Sequence, residues 1–449
     1  MKICRLPLLM FAVISLLAGL ALKADYKSNF ESLNTRECPS WWKEAKFGIF
    51  IHWGVYSVPA FAPTGEKSVY DCYAEHYWRF LKEGRPAFVA HHQKNYPGMS
   101  YMDFAPAFTA KNWDPAKWAD LFKRAGARYV VLTSKHHEGF ALWPSAYSPY
   151  WNASVLGPRR DICGELTDAV KGAGLKMGFY YSLLEWNHPL YRPETIDQYV
   201  AQVNLPQIKE LVTRYKPDIF WPDGEWDYSK ETLRSAEILS WLYNESPVKD
   251  TVVTNDRWGK GFRGRCGDHY TTEYDEDGKS RGKQFAHPWE ECRGLGRSFG
   301  YNRMEGPENY LSNEGVVEVL AEKISRGGNL LLNVGPTADG RIPAILQERL
   351  LALGAWLEIN GEAVYGSRAW ERRPADMRKS RVYFTRKGNA VYAIVFDPKR
   401  VIAVKGIVPR SVSALGSSEP VQVESTDEGL LIHPVPSPSS LAIVYRLAL

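Results

Sequence analysis

An α/β fold, a (β/α)8-like TIM barrel followed by a small antiparallel β-sandwich, is what this sequence predicts, and three observations predict it. From residue 25 to about 355, short apolar runs alternate with amphipathic segments, the rhythm of a parallel sheet. The apolar runs number eight, which a closed barrel requires. Beyond Trp370 the pattern changes to alternating strand-like runs punctuated by Gly, Pro and Ser, with no helix evident.

Six strands are clear, at 47–53, 128–133, 176–181, 218–221, 251–254 and 329–334, and two weaker ones fall between Phe262 and Trp289. Helices between them carry start and stop residues. Asp114 caps one with Pro115 in its first turn, Trp118, Leu121 and Phe122 form its apolar stripe, and Gly126 ends it. Another runs from Asp161 to Ala173 and stops at Gly174, with the next strand following at once. The sandwich strands are 382–385, 390–396, 430–432 and 441–445. Residues 1–24 have a basic start at Lys2 and Arg5 and an apolar stretch over 6–22, the pattern of a cleaved secretory signal, with Ala21 or Ala24 removed last. The expected division is therefore 1–24 signal, 25–360 barrel and 361–449 sandwich. After signal cleavage no membrane span is expected, and the protein is exported, to periplasm, medium or lysosome according to host.

Composition excludes several classes. A net charge of +5 over 449 residues, with Lys and Arg scattered, does not suit nucleic acid. The densest basic run, 372–381, reads as a solvated linker. Cys4 leaves with the signal, and the five cysteines that remain are irregularly spaced, which argues against a disulfide framework and a zinc site while leaving one bridge open. Asn152-Ala-Ser154 and Asn244-Glu-Ser246 are acceptor sequons. No GxGxxG opens a helix after the first strand and no GxSxG elbow follows any strand, so no dinucleotide cofactor and no serine nucleophile are expected. Aromatic residues make up 13%, and many of the 16 Trp lie near turn residues, as stacking platforms for sugars do.

Candidate chemistry gathers at strand ends, which face one mouth in a parallel barrel. Phe50-Ile51-His52-Trp53-Gly54 closes the first strand, Ser134-Lys135-His136-His137-Glu138-Gly139-Phe140 follows the second and Tyr180-Tyr181-Ser182 ends the third. Trp221-Pro222-Asp223 ends the fourth and Asn255-Asp256-Arg257-Trp258-Gly259 the fifth. Asp223, just past an apolar strand and beside Trp221, suits attack on a sugar carbon packed on an indole, although Pro-Asp-Gly is also common turn chemistry. A glycosidase needs a second carboxyl group. Glu273 beside Tyr274 and Glu290 beside Trp289 are both candidates, whereas Asp275, Glu276 and Asp277 read as a solvated loop. His52, His136, His137 and Asp223 are metal-ligand types, but adjacent histidines match neither an i, i+4 zinc pair nor a facial triad, and neutral imidazoles suit sugar hydroxyls. No metal is expected.

Together these segments resemble the α-L-fucosidases of glycoside hydrolase family 29. The resemblance spans about 41–370 and rests on six ordered motifs. They are Phe47-Gly48-Ile49-Phe50-Ile51-His52-Trp53-Gly54, Ser134-Lys135-His136-His137-Glu138-Gly139-Phe140, Trp221-Pro222-Asp223-Gly224, Asn255-Asp256-Arg257-Trp258-Gly259, Ser298-Phe299-Gly300-Tyr301-Asn302 and Gly328-Asn329-Leu330-Leu331-Leu332-Asn333-Val334-Gly335-Pro336. It implies a retaining exo-acting enzyme without metal or cofactor that removes terminal fucose from fucosylated oligosaccharides or glycoconjugates. It implies Asp223 as nucleophile and His52, Glu75, His136, His137, Tyr181, Trp221 and Arg257 as sugar contacts, with Phe50 and Phe299 against the sugar methyl. Tyr180 stands as the alternative to Tyr181. Glu273 and Glu290 both match acid/base positions of relatives. Where relatives often have Glu-Trp-Tyr, this chain has Glu75-His76-Tyr77, which bears on aglycone preference. The competing readings are a barrel exo-glycosidase for another sugar and a degenerate fucose binder; oligomeric state and linkage preference stay open.

Overall fold

The computed structural model describes residues 25–275, 286–436, 439 and 441–449. The expected signal, Glu276, Asp277 and most of the loop before His287 lie outside them. Eight strands form one parallel sheet: β1 Phe47–Ile51, β2 Tyr129–Lys135, β3 Lys176–Ser182, β4 Ile219–Asp223, β5 Val253–Thr254, β6 Tyr270–Glu273, β7 Trp289–Gly294 and β8 Asn329–Val334. Their order is β5-β4-β3-β2-β1-β8-β7-β6, a sheet curled upon itself with β5 and β6 at the edges. Thr254 bridges those edges: its carbonyl accepts from the Asp268 and His269 N–H groups at 2.9 and 3.4 Å, and its N–H donates to Asp268 Oδ2 at 2.8 Å. Asp223 is the last residue of β4, not the first beyond it, so the strand itself aims the carboxylate.

Alternate strand residues face the barrel interior. Phe50, Tyr129, Val131, Tyr180, Ile219, Trp221, Val253, Cys292 and Leu331 make one buried cluster there, and the other phase packs outward against the helices. Gly48 is a requirement of this interior: a Cβ on it would lie 2.2 Å from the Tyr129 ring. Its absence lets Tyr129 cross the lumen and donate to Glu290 on β7.

The helix Pro115–Arg124 is capped as its sequence predicts, Asp114 accepting from the N–H groups of Ala116 and Lys117 at 3.1 Å. Asp161 caps Ile162–Gly172 in the same way. Gly126 and Gly174 follow these helices at φ 84° and 83°, where a side chain would be strained.

The C-terminal part forms two antiparallel sheets. One comprises β13-β16-β11-β10-β9 and the other β12-β15-β14, with β9 Arg368–Ala369, β10 Val382–Lys387, β11 Ala390–Val395, β12 Ile402–Lys405, β13 Ser411–Ala414, β14 Val423–Thr426, β15 Gly429–Ile432 and β16 Ile443–Ala448. Two expectations are corrected here. A single helical turn, Met377–Ser380, interrupts the strands. The basic run is also no mere solvated linker, because Arg381 Nε bonds Glu318 at 3.0 Å and Tyr383 donates to the same carboxylate, pinning the sandwich to the barrel helix Asn313–Ser325. Trp356 Nε1 on the helix Ala344–Asn360 donates to the Ala442 carbonyl at 3.0 Å and joins the parts a second time.

The five described cysteines are free and buried. Both sequon amides are engaged, Asn152 Nδ2 with the Ser148 carbonyl and Asn244 Nδ2 with the Tyr26 carbonyl, each at 2.8 Å. Among the described residues no helix is long and apolar enough to cross a membrane.

Candidate active site

A cavity of about 460 Å³ opens at the C-terminal mouth of the barrel. Asp223 sits in it with both oxygens held: Arg257 Nη1 donates to Oδ1 at 2.6 Å and the Tyr180 hydroxyl to Oδ2 at 2.9 Å. Burial pushes this carboxyl up, but the charges of Arg257 and Arg263 and the two hydrogen bonds outweigh it and hold it below the usual carboxylate range. Arg257 continues to a second carboxylate, its Nη2 donating to Glu273 Oε2 at 3.0 Å, while the Tyr73 hydroxyl donates to Glu273 Oε1 at 2.7 Å. One guanidinium thus spans Asp223 and Glu273, and it lies 4.5 Å over the Trp221 ring.

The Asn255-Asp256-Arg257-Trp258 segment explains why the guanidinium is fixed. Asn255 Nδ2 donates to the Pro222 carbonyl and its Oδ1 accepts from the Arg257 N–H, each at 3.0 Å. Asp256 Oδ1 accepts from Thr271 Oγ1, and Arg257 Nε donates to that same hydroxyl at 3.1 Å. Trp258 Nε1 returns to the Asn255 carbonyl.

Opposite the carboxylates lie imidazoles and aromatic rings. His52 Nδ1 meets Asn333 Oδ1 at 2.7 Å, and Asn333 Nδ2 donates to the Phe299 carbonyl, so β1, β8 and the loop before it are locked together. Burial, with like charge from neighbouring groups, drives His52, His76 and His137 well below the usual imidazole range; these rings are neutral at pH 7. Glu75 Oε2 accepts from the Gly300 N–H at 2.8 Å and from Ser298 Oγ at 3.2 Å, and burial raises its carboxyl. Phe50 and Phe299 meet edge to face, centroids 6.3 Å apart and planes at 71°, and make an apolar corner beside His52.

The cavity therefore gathers Asp223, Glu273, Phe50, His52, Glu75, His136, His137, Trp221, Arg257 and Phe299, and it does not gather Tyr181 or Glu290. Tyr181 has the outward phase of β3: its hydroxyl donates to Gln207 Oε1 at 2.8 Å and accepts from Lys135 Nζ, beneath the mouth. Tyr180 takes the cavity position. Glu290 is the second residue of β7, in register with Thr271, whereas Glu273 pairs with Cys292, two residues nearer the mouth. Its oxygens are taken by Trp221 Nε1 and the Tyr129 hydroxyl, and its side chain is 1% exposed against 28% for Glu273. Tyr70, Tyr73, Arg79, Trp226, Arg263 and Cys292 also line the cavity and carry no sequence signal beyond nearness to a motif. Among the described residues, the histidines whose ligand atoms come within 4.8 Å of one another are His76, His136 and His137, with His76 standing where the sequence had suggested His52 and Asp223.

Residues 15–362 match the family model described as Alpha-L-fucosidase. The chain is 43% identical over 442 residues to an α-L-fucosidase of Branchiostoma floridae, covering 95% of each. It is 45% identical over 377 residues to the tissue α-L-fucosidase of Homo sapiens, covering 82% of this chain and 78% of that one. The crystal structure of Thermotoga maritima α-fucosidase in complex with fucose superposes with a TM-score of 0.80 at 38% identity, covering 94% of this chain and all of that one.

Proposed function

The chain belongs to the α-L-fucosidase family and is a glycoside hydrolase of that activity, and from this premise we propose that it removes terminal α-L-fucosyl residues by double displacement, with Asp223 as nucleophile and Glu273 as acid/base. One observation carries the assignment: a single guanidinium, Arg257, hydrogen-bonds both carboxylates at the cavity mouth. Sharing one guanidinium keeps the two carboxylates on the same side of the cavity and close together, as retention requires of its pair. In the first step Asp223 attacks the anomeric carbon, the glycosidic bond breaks, and Glu273 gives its proton to the leaving oxygen. In the second, Glu273 takes a proton from water as that oxygen attacks the same carbon and frees the Asp223 carboxylate. The depressed carboxyl of Asp223 keeps the nucleophile ionised in acid. His52, His136 and His137 receive the sugar hydroxyls, and Phe50 and Phe299 receive the C5 methyl. Fucosylated oligosaccharides or glycoconjugates are the substrates this supports. The apolar stretch 6–22 behind Lys2 and Arg5 supports export, which N-terminal sequencing of the mature protein tests.

The experiment compares Asp223→Gly, Glu273→Ala and Glu290→Ala on an aryl α-L-fucoside. Asp223→Gly should lose several orders of magnitude in kcat. Azide should restore turnover to Glu273→Ala and yield α-fucosyl azide, the retained anomer, and should not rescue Glu290→Ala. Rescue of the Glu290 variant alone would exchange the two roles; near-normal turnover by Asp223→Gly would remove the nucleophile.

A further inference from the structure

His76 comes from the loop after β1, and His136 and His137 follow β2. Their three ligand nitrogens lie within 4.8 Å of one another, all in buried side chains. Among the described residues Nδ1 of His76 and Nδ1 of His136 are buried without a hydrogen-bond partner. Other buried polar atoms of the protein also lack partners, but among the described side chains that line the cavity these two are the ones that do. His137 is held differently: Nδ1 meets Ser182 Oγ at 2.6 Å, which fixes the ring and turns Nε2 toward the Tyr180 hydroxyl at 3.4 Å and Asp223 Oδ2 at 3.7 Å, so an ion would displace the weak contact with Tyr180. Glu138 Oε2 stands 3.3 Å from His136 Nδ1. The Ser182 hydroxyl on Nδ1 fixes the His137 ring as partners of ligating histidines do and leaves its Nε2 as the ligand atom, while Glu138 adds negative charge beside His136.

We propose that His76, His136 and His137 form a site for one first-row divalent transition-metal ion, Zn²⁺ or Cu²⁺, and that this ion and the sugar exclude each other. Imidazole nitrogens suit these ions. Zinc held at 2.0–2.1 Å in tetrahedral geometry needs its nitrogens roughly 3.4 Å apart, so nitrogens that now lie within 4.8 Å of one another close by at most about 1.4 Å. The fourth position then faces Asp223. Two carboxylates, Asp223 and Glu138, favour the cation, and Arg79, Arg257 and Arg263 on the cavity wall oppose it. The ion takes no part in hydrolysis; it occupies the wall that receives the sugar hydroxyls and masks the nucleophile. The exclusion rests on the fucosidase reading, and the metal site does not.

The test titrates Zn²⁺ into the metal-free full chain by calorimetry. The parent should bind one ion per chain. His76→Phe keeps a ring and removes both nitrogens, and should weaken binding by at least about 100-fold, since loss of a ligand costs no less than the 10–100-fold attached to a ligand's hydrogen-bond partner. A His91→Ala/His92→Ala variant, which alters the other adjacent pair, should bind as the parent does. Saturating fucose should weaken Zn²⁺ binding, and Zn²⁺ should inhibit aryl fucoside hydrolysis competitively in the parent, with the ratio of rates with and without Zn²⁺ moving toward one in His76→Phe. No stoichiometric binding, equal affinity in His76→Phe, or loss of binding in the His91/His92 variant overturns the site. Binding that needs His76 yet ignores fucose overturns the exclusion if the chain hydrolyses the fucoside; if it does not, the fucosidase reading fails and the site stands. Should His76→Phe not fold, Co²⁺ in the parent decides: a visible absorption band of a four-coordinate ion that fades with fucose supports the proposal, and its absence overturns it.

Discussion

Removing one oxygen from Tyr180 isolates the contact that separates the two tyrosines of β3. In Tyr180→Phe the ring stays stacked on Trp221, centroids 5.7 Å apart, while the 2.9 Å hydrogen bond to Asp223 Oδ2 and a longer 3.4 Å contact with His137 Nε2 are lost. A hydrogen bond to a charged group contributes about 1.5–3 kcal/mol, so if the bond aligns the nucleophile in the transition state, kcat/KM should fall about 10- to 150-fold. The same bond helps hold the Asp223 carboxyl below its usual range. Its loss raises that pKa, and the acid limb of the kcat/KM profile should move to higher pH. Tyr181→Phe instead breaks a buried bond to Gln207 and strips one partner from Lys135, which also bonds Glu185, Tyr199 and Gln207. That change should lower stability by about 1–3 kcal/mol and leave kcat/KM within a few-fold. The assay is hydrolysis of 4-nitrophenyl α-L-fucoside across pH, with urea denaturation of each variant. A larger kinetic loss in Tyr181→Phe than in Tyr180→Phe, or an acid limb that does not move, refutes the assignment.

The apolar corner between Phe50 and Phe299 should exclude a hydroxymethyl group, because its hydroxyl would be buried unpaired at about 1–3 kcal/mol. Aryl α-L-galactoside, which differs from the fucoside by that hydroxyl alone, should then react about 5- to 150-fold more slowly in kcat/KM than aryl α-L-fucoside, and comparable values would reject the niche. Glu305, whose Oε1 accepts from the Arg297 and Ser298 N–H groups, has its carboxyl pushed by burial up to about 7. The folded chain then keeps a proton that the unfolded chain releases, so stability falls as pH rises from about 4.5 to 7 and the loss is complete above that. Glu305→Gln should be about 1–2 kcal/mol more stable than the parent at pH 8, after allowance for partial exposure, and no more stable at pH 5. Denaturation curves offset equally at both pH values would contradict this.

Local signals were the legible ones. The Asp114-Pro115 start and the Gly126 stop define a helix through caps that act within a turn, and the structure has that helix with those caps. The apolar runs 390–396 and 441–445 mark sandwich strands that the structure has at 390–395 and, shifted toward the C-terminus, 443–448, whereas 411–414 and 423–426 read Ser-Val-Ser-Ala and Val-Glu-Ser-Thr and carry no such signal. Such short, exposed strands owe their state to a neighbour's ladder, not to their own residues.

What sequence could not supply was phase and depth. In a parallel strand buried on both faces, hydrophobicity does not mark which side faces the lumen, so Tyr180 and Tyr181 were indistinguishable until β3 was set beside β4. The two glutamates pose the same problem along the strand axis, since each follows or precedes an aromatic residue. Register separates them: two residues correspond to roughly 6.6 Å of rise, enough to lift Glu273 to the mouth while Glu290 stays below the Trp221 ring. The difference in depth also decides what each carboxylate can do. Glu290 has both oxygens occupied by donors from Tyr129 and Trp221 on two other barrel strands, so moving a proton there would break the lumen's own bonds. Among the described residues Glu273 is bonded by Tyr73 and Arg257, two side chains of the cavity wall, and an incoming glycosidic oxygen can compete for it without disturbing the sheet.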